Sequence, residues 1–472
     1  MSPSSPAALL LHNFRLFDGR QPRLQDGLFL TVRSSRIEAL GPAGEAPERA
    51  GYTCVDLQGL TLLPGLIDAH VQMSVPFIRR VNVRSVLEMP RQLQNNLRWC
   101  LASGVTTVRD MMGMPGTIQR LRREVNAGKL PGPRIFCANS YLTCPGGCPE
   151  MAPYFNPIQK WFVGGQIAER LTSAAQVRAS VRSMVEQGAD WIKTGHASRS
   201  FFAGRTAPLP CLSDECYAAL VEEARRLNRP VAFHQTYLES FRKGLALGVQ
   251  TLEHVPGDGL ISEQEADEVA RKGSALVATL LVPATYLDLE EVQRWLSERA
   301  AKFLEPEPLR QTRHLLDSHR KAFHTPEELA RECLIDIPAI QRSFGLCLEN
   351  VRRLRQAGVV LGCGTDSGGE LAFFGQVHKE LKLLVQAGLS RFEALQAATA
   401  VNARILGMEE HLGALLPGKL ADMIAVQGDP LEDLDCLDRV QWVVKDGKIE
   451  RSGLANTPIQ PLPAQHPTLM NA

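Results

Sequence analysis

Apolar positions follow two different rhythms along this chain. Over the first 65 residues they alternate or cluster in short runs, as at 8–17 and 28–39, broken by Asp18-Gly19 and Gly41-Pro42. That pattern predicts strands joined by tight turns. The same rhythm returns at 422–427 and 440–444, where Lys445-Asp446-Gly447 reads as a hairpin turn. Between these β-rich ends, short apolar runs are each followed by an amphipathic stretch. Eight runs stand out, at 61–70, 104–110, 134–143, 190–195, 230–235, 250–255, 275–283 and 359–366. The stretch opening at Ser213, with Ala218, Leu220, Val221 and Ala224 behind it, has an N-cap residue and helical apolar spacing. Eight strand–helix units predict a closed parallel barrel, because an open parallel sheet of that size leaves edges unpaired. The fold class expected is therefore α/β, a (β/α)8 TIM barrel. The charged, helix-patterned segment 286–357 is read as an insertion over one face. Residues 456–472, rich in Pro and polar side chains, are read as a tail.

Charge removes several partner classes. Lys and Arg number 52 against 51 Asp and Glu, a net of +1, so no field favours nucleic acid or an anionic membrane. Hydrophobic residues at 44% and charged residues at 22% fit a folded chain rather than a disordered one. Eleven cysteines, an odd number scattered from Cys54 to Cys436, argue against a complete disulfide framework and for a reducing compartment. No apolar run reaches the roughly 18–20 residues of a membrane span, and the first residues lack a basic n-region. The expectation is a cytoplasmic protein with a small-molecule substrate, no nucleic-acid or membrane partner, and possible homo-oligomers.

Polar residues close five of the eight runs. Run one ends in Asp68-Ala69-His70-Val71-Gln72, run four with Lys193, run five with His234, run six with His254 and run eight with Asp366. Each has a plain structural reading: a hydrogen-bonded core histidine, or an aspartate capping a turn. Lys193 is harder to explain that way, since an ammonium in an apolar run is costly to bury. In a barrel the strand C-termini converge on one mouth, where catalytic side chains sit. Imidazoles and a carboxylate gathered there predict a divalent, zinc-like metal site.

Leu63-Pro64-Gly65-Leu66-Ile67-Asp68-Ala69-His70 resembles the first-strand signature of the amidohydrolase superfamily. Ala397-Ala398-Thr399-Ala400-Val401-Asn402-Ala403 and Gly418-Lys419-Leu420-Ala421-Asp422 resemble its C-terminal signatures. The resemblance runs over roughly residues 8–450 and is nearest to the imidazolonepropionase-like and prolidase-like branch. It implies a barrel over 65–407 with a small β-sandwich built from both chain ends, 1–64 and 408–455. It implies His70 as a ligand of one zinc ion, and His234 and His254 as ligands of another. Lys193, carboxylated by carbon dioxide, would bridge the two. Asp366 would bind metal, accept a proton from the attacking water and pass it to the leaving group. The activity implied is hydrolysis of a C–N bond in an amide or peptide-like small molecule. A non-hydrolytic lyase, cyclase or isomerase on the same fold is the alternative, and a non-catalytic binding homologue a further one.

The chain departs from the family pattern on the first strand. The family has His-x-His where this sequence has His70-Val71-Gln72, and a neutral amide is a poorer zinc donor than imidazole. The expectation is a full second metal position and a weak or empty first one. His196 either replaces the missing ligand or belongs to a loop. Tyr237 resembles a tyrosine that binds a substrate carboxylate in prolidase-like relatives. Those relatives carry Gly-Gly-His where this chain has Gly146-Gly147-Cys148, so the thiol of Cys148 takes the place of a cationic donor at the substrate, which counts against a dipeptide-like carboxylate substrate. Cys144 and Cys148 read either as a redox or soft-metal pair or as thiols on a Gly/Pro turn. His314, His319 and His324, spaced by five, do not share a helical face and are read as solvated. Arg79, Arg80 and Arg84 are read as loop residues that could meet an anionic substrate.

Overall fold

The computed structural model describes residues 8–74, 81–149, 167–200, 208–321, 325, 328, 334–369 and 371–453. Strands β1 (Leu9–His12), β2 (Arg15–Leu16), β3 (Leu28–Arg33), β4 (Arg36–Pro42), β5 (Thr53–Asp56) and β6 (Thr61–Pro64) fill the first 64 residues. They divide between two sheets, one of them ordered β4-β3-β1-β5 and the other containing β2 beside β6.

The barrel strands are β7 (Leu66–Val71), β8 (Val105–Asp110), β9 (Arg134–Cys137), β10 (Tyr141–Thr143), β11 (Ala168–Arg170), β12 (Ile192–Gly195), β13 (Val231–His234), β14 (Thr251–Glu253), β15 (Ala275–Val277) and β16 (Val360–Gly362). All their pairings are parallel. Backbone bonds stitch the two resulting sheets together along both seams. On one side Cys137 O accepts from Asp190 N at 2.8 Å. On the other, Ala69 N donates to Cys363 O at 3.0 Å, Asp366 N to His70 O at 2.7 Å and Gln72 N to Ser367 O at 2.7 Å. β9 and β10 act as one kinked third strand and β11, paired only with β10 among the described residues, lies outside the ring, so the ring counts eight, as the eight apolar runs predict. The fold is a (β/α)8 barrel of the α/β class. No described helix is long and apolar enough to cross a membrane.

Two runs are divided in ways the pattern did not show. Run 61–70 serves both layers: Gly65 N donates to Asp422 O, and a Cβ at Gly65 would meet Thr106 Oγ1 at 2.2 Å. Pro64 and Leu66 therefore fall in different sheets. Run 275–283 is strand only to Val277, then turns into the helix Leu281–Thr285. The buried Glu380 carboxylate accepts from Leu280 N at 3.0 Å and Leu281 N at 2.7 Å, satisfying the first amides of that helix. The segment 286–357 also divides. Its last helix, Ile337–Gln356, is the ordinary crossover before β16, with Asn350 bonded to Pro256 O, Gly259 O and Ile261 N. Among the described residues the added α-helices are Leu289–Glu298 and Pro306–His319.

The C-terminal strands β17 (Met423–Val426), β18 (Val440–Lys445) and β19 (Lys448–Ser452) join β6 and β2 in one sheet, ordered β19-β18-β17-β6-β2. Leu9, Leu11, Leu30 and Val32 from one sheet and Leu62, Met423, Trp442 and Val444 from the other share a buried core. The β18–β19 turn has Asp446 at φ 49° and Gly447 at φ 73°, the left-handed pair that the Asp-Gly motif supplies. Asn402, within the second family-like motif, donates to Ile67 O and Cys363 O at 2.7 Å each and accepts from Cys363 N at 3.2 Å. It pins the first barrel strand to the last, which is a physical reason for that motif.

Candidate metal centre

His70 is the penultimate residue of β7, buried to 3% exposure. Its Nδ1 lies 2.6 Å from Glu253 Oε2, and its Nε2 lies 3.4 Å from Asp366 Oδ1. His254 directly follows β14, with Nδ1 held 2.6 Å from Thr279 Oγ1. Asp366 sits on the turn after β16, fastened to β7 by its backbone bond to His70 O. One ligand atom from each of His70, His254 and Asp366 lies within 4.8 Å of the others. His254 at φ 71° and Asp366 at φ 53° both occupy the left-handed region. Non-glycine residues are uncommon there and gather at functional sites.

Neighbours hold this trio in place. Asp68 accepts from Thr365 N at 3.0 Å and from His70 N at 3.2 Å, and also takes the Thr365 hydroxyl. Burial pushes the Asp68 carboxyl up to about 7. Gly364 allows the turn to approach, since a Cβ there would lie 2.6 Å from His70 Cβ. Gln72 Nε2 donates to Asp366 Oδ1 at 2.8 Å. Its amide is thus engaged as a donor to the carboxylate.

Lys193 and His234 flank the trio. Lys193 is 2% exposed, and its Nζ has no hydrogen-bond partner among the described residues. Burial, aided by the nearby Arg109 charge and against the pull of Glu253 and Asp366, lowers its ammonium to about 8. The His234 ring lies 4.4 Å from that of His254, centroid to centroid. Burial, then the Lys193 and His70 charges, press His234 down to about 3; His70 and His254 are also held below the usual histidine value, chiefly by burial. All three imidazoles therefore stand neutral at pH 7, the form that binds metal. Gly195 is required beside them, because a Cβ there would lie 2.3 Å from Tyr141 Oη and 2.5 Å from His234 Cβ.

The structure brings His70, His234, His254, Lys193 and Asp366 to one mouth, but the converging trio cuts across the two ligand groups expected from the sequence. Cys148 also reaches it, with Sγ 4.0 Å from His234 Nε2. Cys144 and Cys148 are not joined in a disulfide. His196 turns away to Ser240 Oγ (3.4 Å) and Glu239 (3.8 Å) on the helix Leu238–Leu247, so it does not stand in for the missing imidazole. Tyr237 precedes that helix, with the Arg199 guanidinium 4.2 Å from its ring centroid. Arg84 is exposed and paired with Glu88; Arg79 and Arg80 lie outside the described residues. His319 corrects the expectation of a solvated series: it is buried at 7% exposure and packs edge-on against Tyr286 at 5.1 Å, because the helix Pro306–His319 buries that face. His314 is exposed, and His324 lies outside the described residues.

Sequence reasoning missed Arg109 and Glu253. Both are fully buried charges inside the barrel, 2.8 Å apart, with Glu253 on His70. The signal was available, since a charge inside an apolar run singled out Lys193 and the same test selects Arg109 within Val105–Asp110.

A closed parallel barrel with histidines, a lysine and an aspartate on its strand ends defines a class of metal-dependent hydrolase folds. A family model described as the amidohydrolase family matches residues 61–449, and the chain belongs to that family. The chain is 26% identical over 367 residues to an ochratoxinase of Aspergillus niger, spanning 74% of this chain and 66% of that protein's length. It is 25% identical over 431 residues to an imidazolonepropionase of Rubrobacter xylanophilus, spanning 84% and 83%. Among solved structures, a Xaa-Pro dipeptidase with bound methionine in its active site superposes with a TM-score of 0.72 at 25% identity, over 94% of this chain and 99% of that one.

Proposed function

We propose that this protein is a metal-dependent hydrolase of a C–N bond in a small amide or peptide-like molecule. The observation that carries this reading is the convergence of His70, His254 and Asp366 within 4.8 Å at the barrel mouth. The donor set fits a zinc-like ion, with two neutral imidazoles and a carboxylate. His234 and Lys193, as its carbamate, complete the set for a second ion. The buried Lys193 Nζ, without a hydrogen-bond partner among the described residues, supports the carbamate. With its pKa near 8, the neutral amine that combines with carbon dioxide is accessible close to neutrality. The product is a carbamate anion and a released proton, which turns a buried cation into an acceptor. A divalent ion at such a site lowers the pKa of water and polarises a carbonyl.

The chain's own residues then have distinct tasks. Asp366 takes a proton from the attacking water and returns it to the departing nitrogen. Gln72, donating to Asp366 Oδ1 at 2.8 Å, orients that carboxylate. Cys148 and Tyr237 face the substrate end. The methionine in the dipeptidase active site supports an amino-acid-like product, and the ochratoxinase and imidazolonepropionase relatives support hydrolytic chemistry. A cytoplasmic location and homo-oligomerisation remain part of this proposal.

The test is zinc-dependent turnover of a panel of N-acyl amino acids and dipeptides, with Asp366→Asn alongside. The variant is expected to keep its fold and lose at least about 100-fold in kcat. Undiminished turnover in Asp366→Asn contradicts the proton-transfer role.

A further inference from the structure

The barrel interior beneath the site contains a charged pair to which the proposed reaction gives no task. Arg109 on β8 and Glu253 on β14 are both 0% exposed. Arg109 Nη2 donates to Glu253 Oε1 at 2.8 Å, Nε to Ala69 O at 2.6 Å and Nη1 to Thr251 Oγ1 at 3.3 Å. Its guanidinium carbon lies 4.5 Å from the Trp191 ring centroid. The Glu253 carboxylate is divided between two duties: Oε1 takes Arg109 and the Thr251 hydroxyl, while Oε2 takes His70 Nδ1 at 2.6 Å.

Stability alone does not account for this arrangement. Two buried ions carry a desolvation penalty that an apolar pair of similar volume avoids. The geometry instead points towards His70. An ionised carboxylate only accepts hydrogen bonds, so Nδ1 of His70 must carry a proton, and Nε2 is the ring nitrogen left for a metal ion. That Nε2 faces Asp366 at 3.4 Å. Arg109 reaches the same histidine by a second path, since it also grips the carbonyl of Ala69, the residue before it.

We propose that Arg109 and Glu253 are positioning residues, which fix the ring orientation and tautomer of His70 so that Nε2 is presented to a metal ion. This rests on the metal reading of the site given above. An amide at position 253 offers a donor as well as an acceptor, and so no longer dictates the tautomer. Loss of such a partner to a metal-binding histidine weakens metal affinity by about 10- to 100-fold.

The test has two parts. In 15N NMR of the metal-free protein, with His70 assigned through His70→Asn, the expected state is Nδ1-protonated with Nε2 bare. An Nε2-protonated His70 overturns the proposal without any variant. Zinc affinity is then measured by chelator competition for the wild type, Glu253→Gln and the double variant Arg109→Met/Glu253→Gln. The double variant removes both charges and leaves neither ion unpaired. Both variants are expected to bind zinc about 10- to 100-fold more weakly, with His70 shifted from its single tautomer. Equal affinity overturns the proposal, as does weaker binding with an unchanged His70 tautomer. A wild type that holds no zinc contradicts the metal reading, while the NMR result still decides how His70 is held.

Discussion

At the scale of single residues, the site is a set of polar groups kept in the barrel because neighbours satisfy all but one atom of each. His70 and His254 have Nδ1 occupied by Glu253 and Thr279, and Asp366 is held by Gln72. Lys193 Nζ has no hydrogen-bond partner at all among the described residues. His70, Lys193, His234, His254 and Asp366 were legible in the sequence because each ends an apolar run. The role of Gln72 was not, since spacing gives the face of a strand but not whether an amide presents its oxygen or its nitrogen. Restoring an imidazole with Gln72→His is expected to raise the zinc bound per chain, read by elemental analysis. No increase would show that position 72 serves Asp366 rather than metal. The three imidazoles also set an acid limit. In the folded, metal-stripped protein each lies below 6.5, His234 near 3, so the unfolded chain binds protons that the folded chain does not. Their contribution to stability is therefore present above pH 6.5 and falls as pH drops, by up to about 1.4 kcal/mol per unit for each histidine, while the buried carboxyls of Asp68, Asp110 and Glu380, raised to about 7 or 8, contribute with the opposite sign. The change in urea midpoint between pH 7 and pH 5 in chelator-treated protein, compared for the wild type and His234→Asn, isolates the histidine share, and the same change in both contradicts it.

At the scale of elements, hydrophobic rhythm located nearly every barrel strand but not where a run changes partner. The run at 61–70 reads as one strand, yet Gly65 passes it from the sandwich to the barrel through a single bond to Asp422 O. The run at 275–283 ends early because Glu380, 100 residues away, caps a helix there. Such boundaries depend on long-range partners, and no local pattern contains them. The segment 286–357 looked uniform because its crossover helix and its added helices are both amphipathic. The seam between the first and last barrel strands makes its own prediction. Asn402→Ala strips partners from Ile67 O, Cys363 O and Cys363 N, all beneath the site. It is expected to cost about 2–4 kcal/mol, since three buried hydrogen bonds are lost at about 0.5–1.5 kcal/mol each while Cys363 O keeps Ala69 N and Cys363 N keeps Ala397 O. Chemical denaturation measures this, and a loss below about 1 kcal/mol would mean that the seam does not depend on Asn402.

At the scale of the whole molecule, both chain ends fold into sheets that share one core, and the barrel runs between them. Strand direction then carries the chemistry, because eight parallel strands deliver their C-terminal residues to one mouth. Buried charge is the common thread: Lys193 at the site and the Arg109–Glu253 pair below it occupy an interior that hydrophobic residues would fill more cheaply. A metal ion gives those groups a purpose, and it is the claim on which the rest depends. The most direct measurement is zinc per chain, by elemental analysis after loading and desalting, for the wild type beside the double variant His254→Ala/Asp366→Ala. The wild type is expected to retain at least one equivalent, and the variant to lose it while remaining folded. A wild type that retains no zinc, or a variant that retains as much, would contradict a metal centre built on His70, His254 and Asp366.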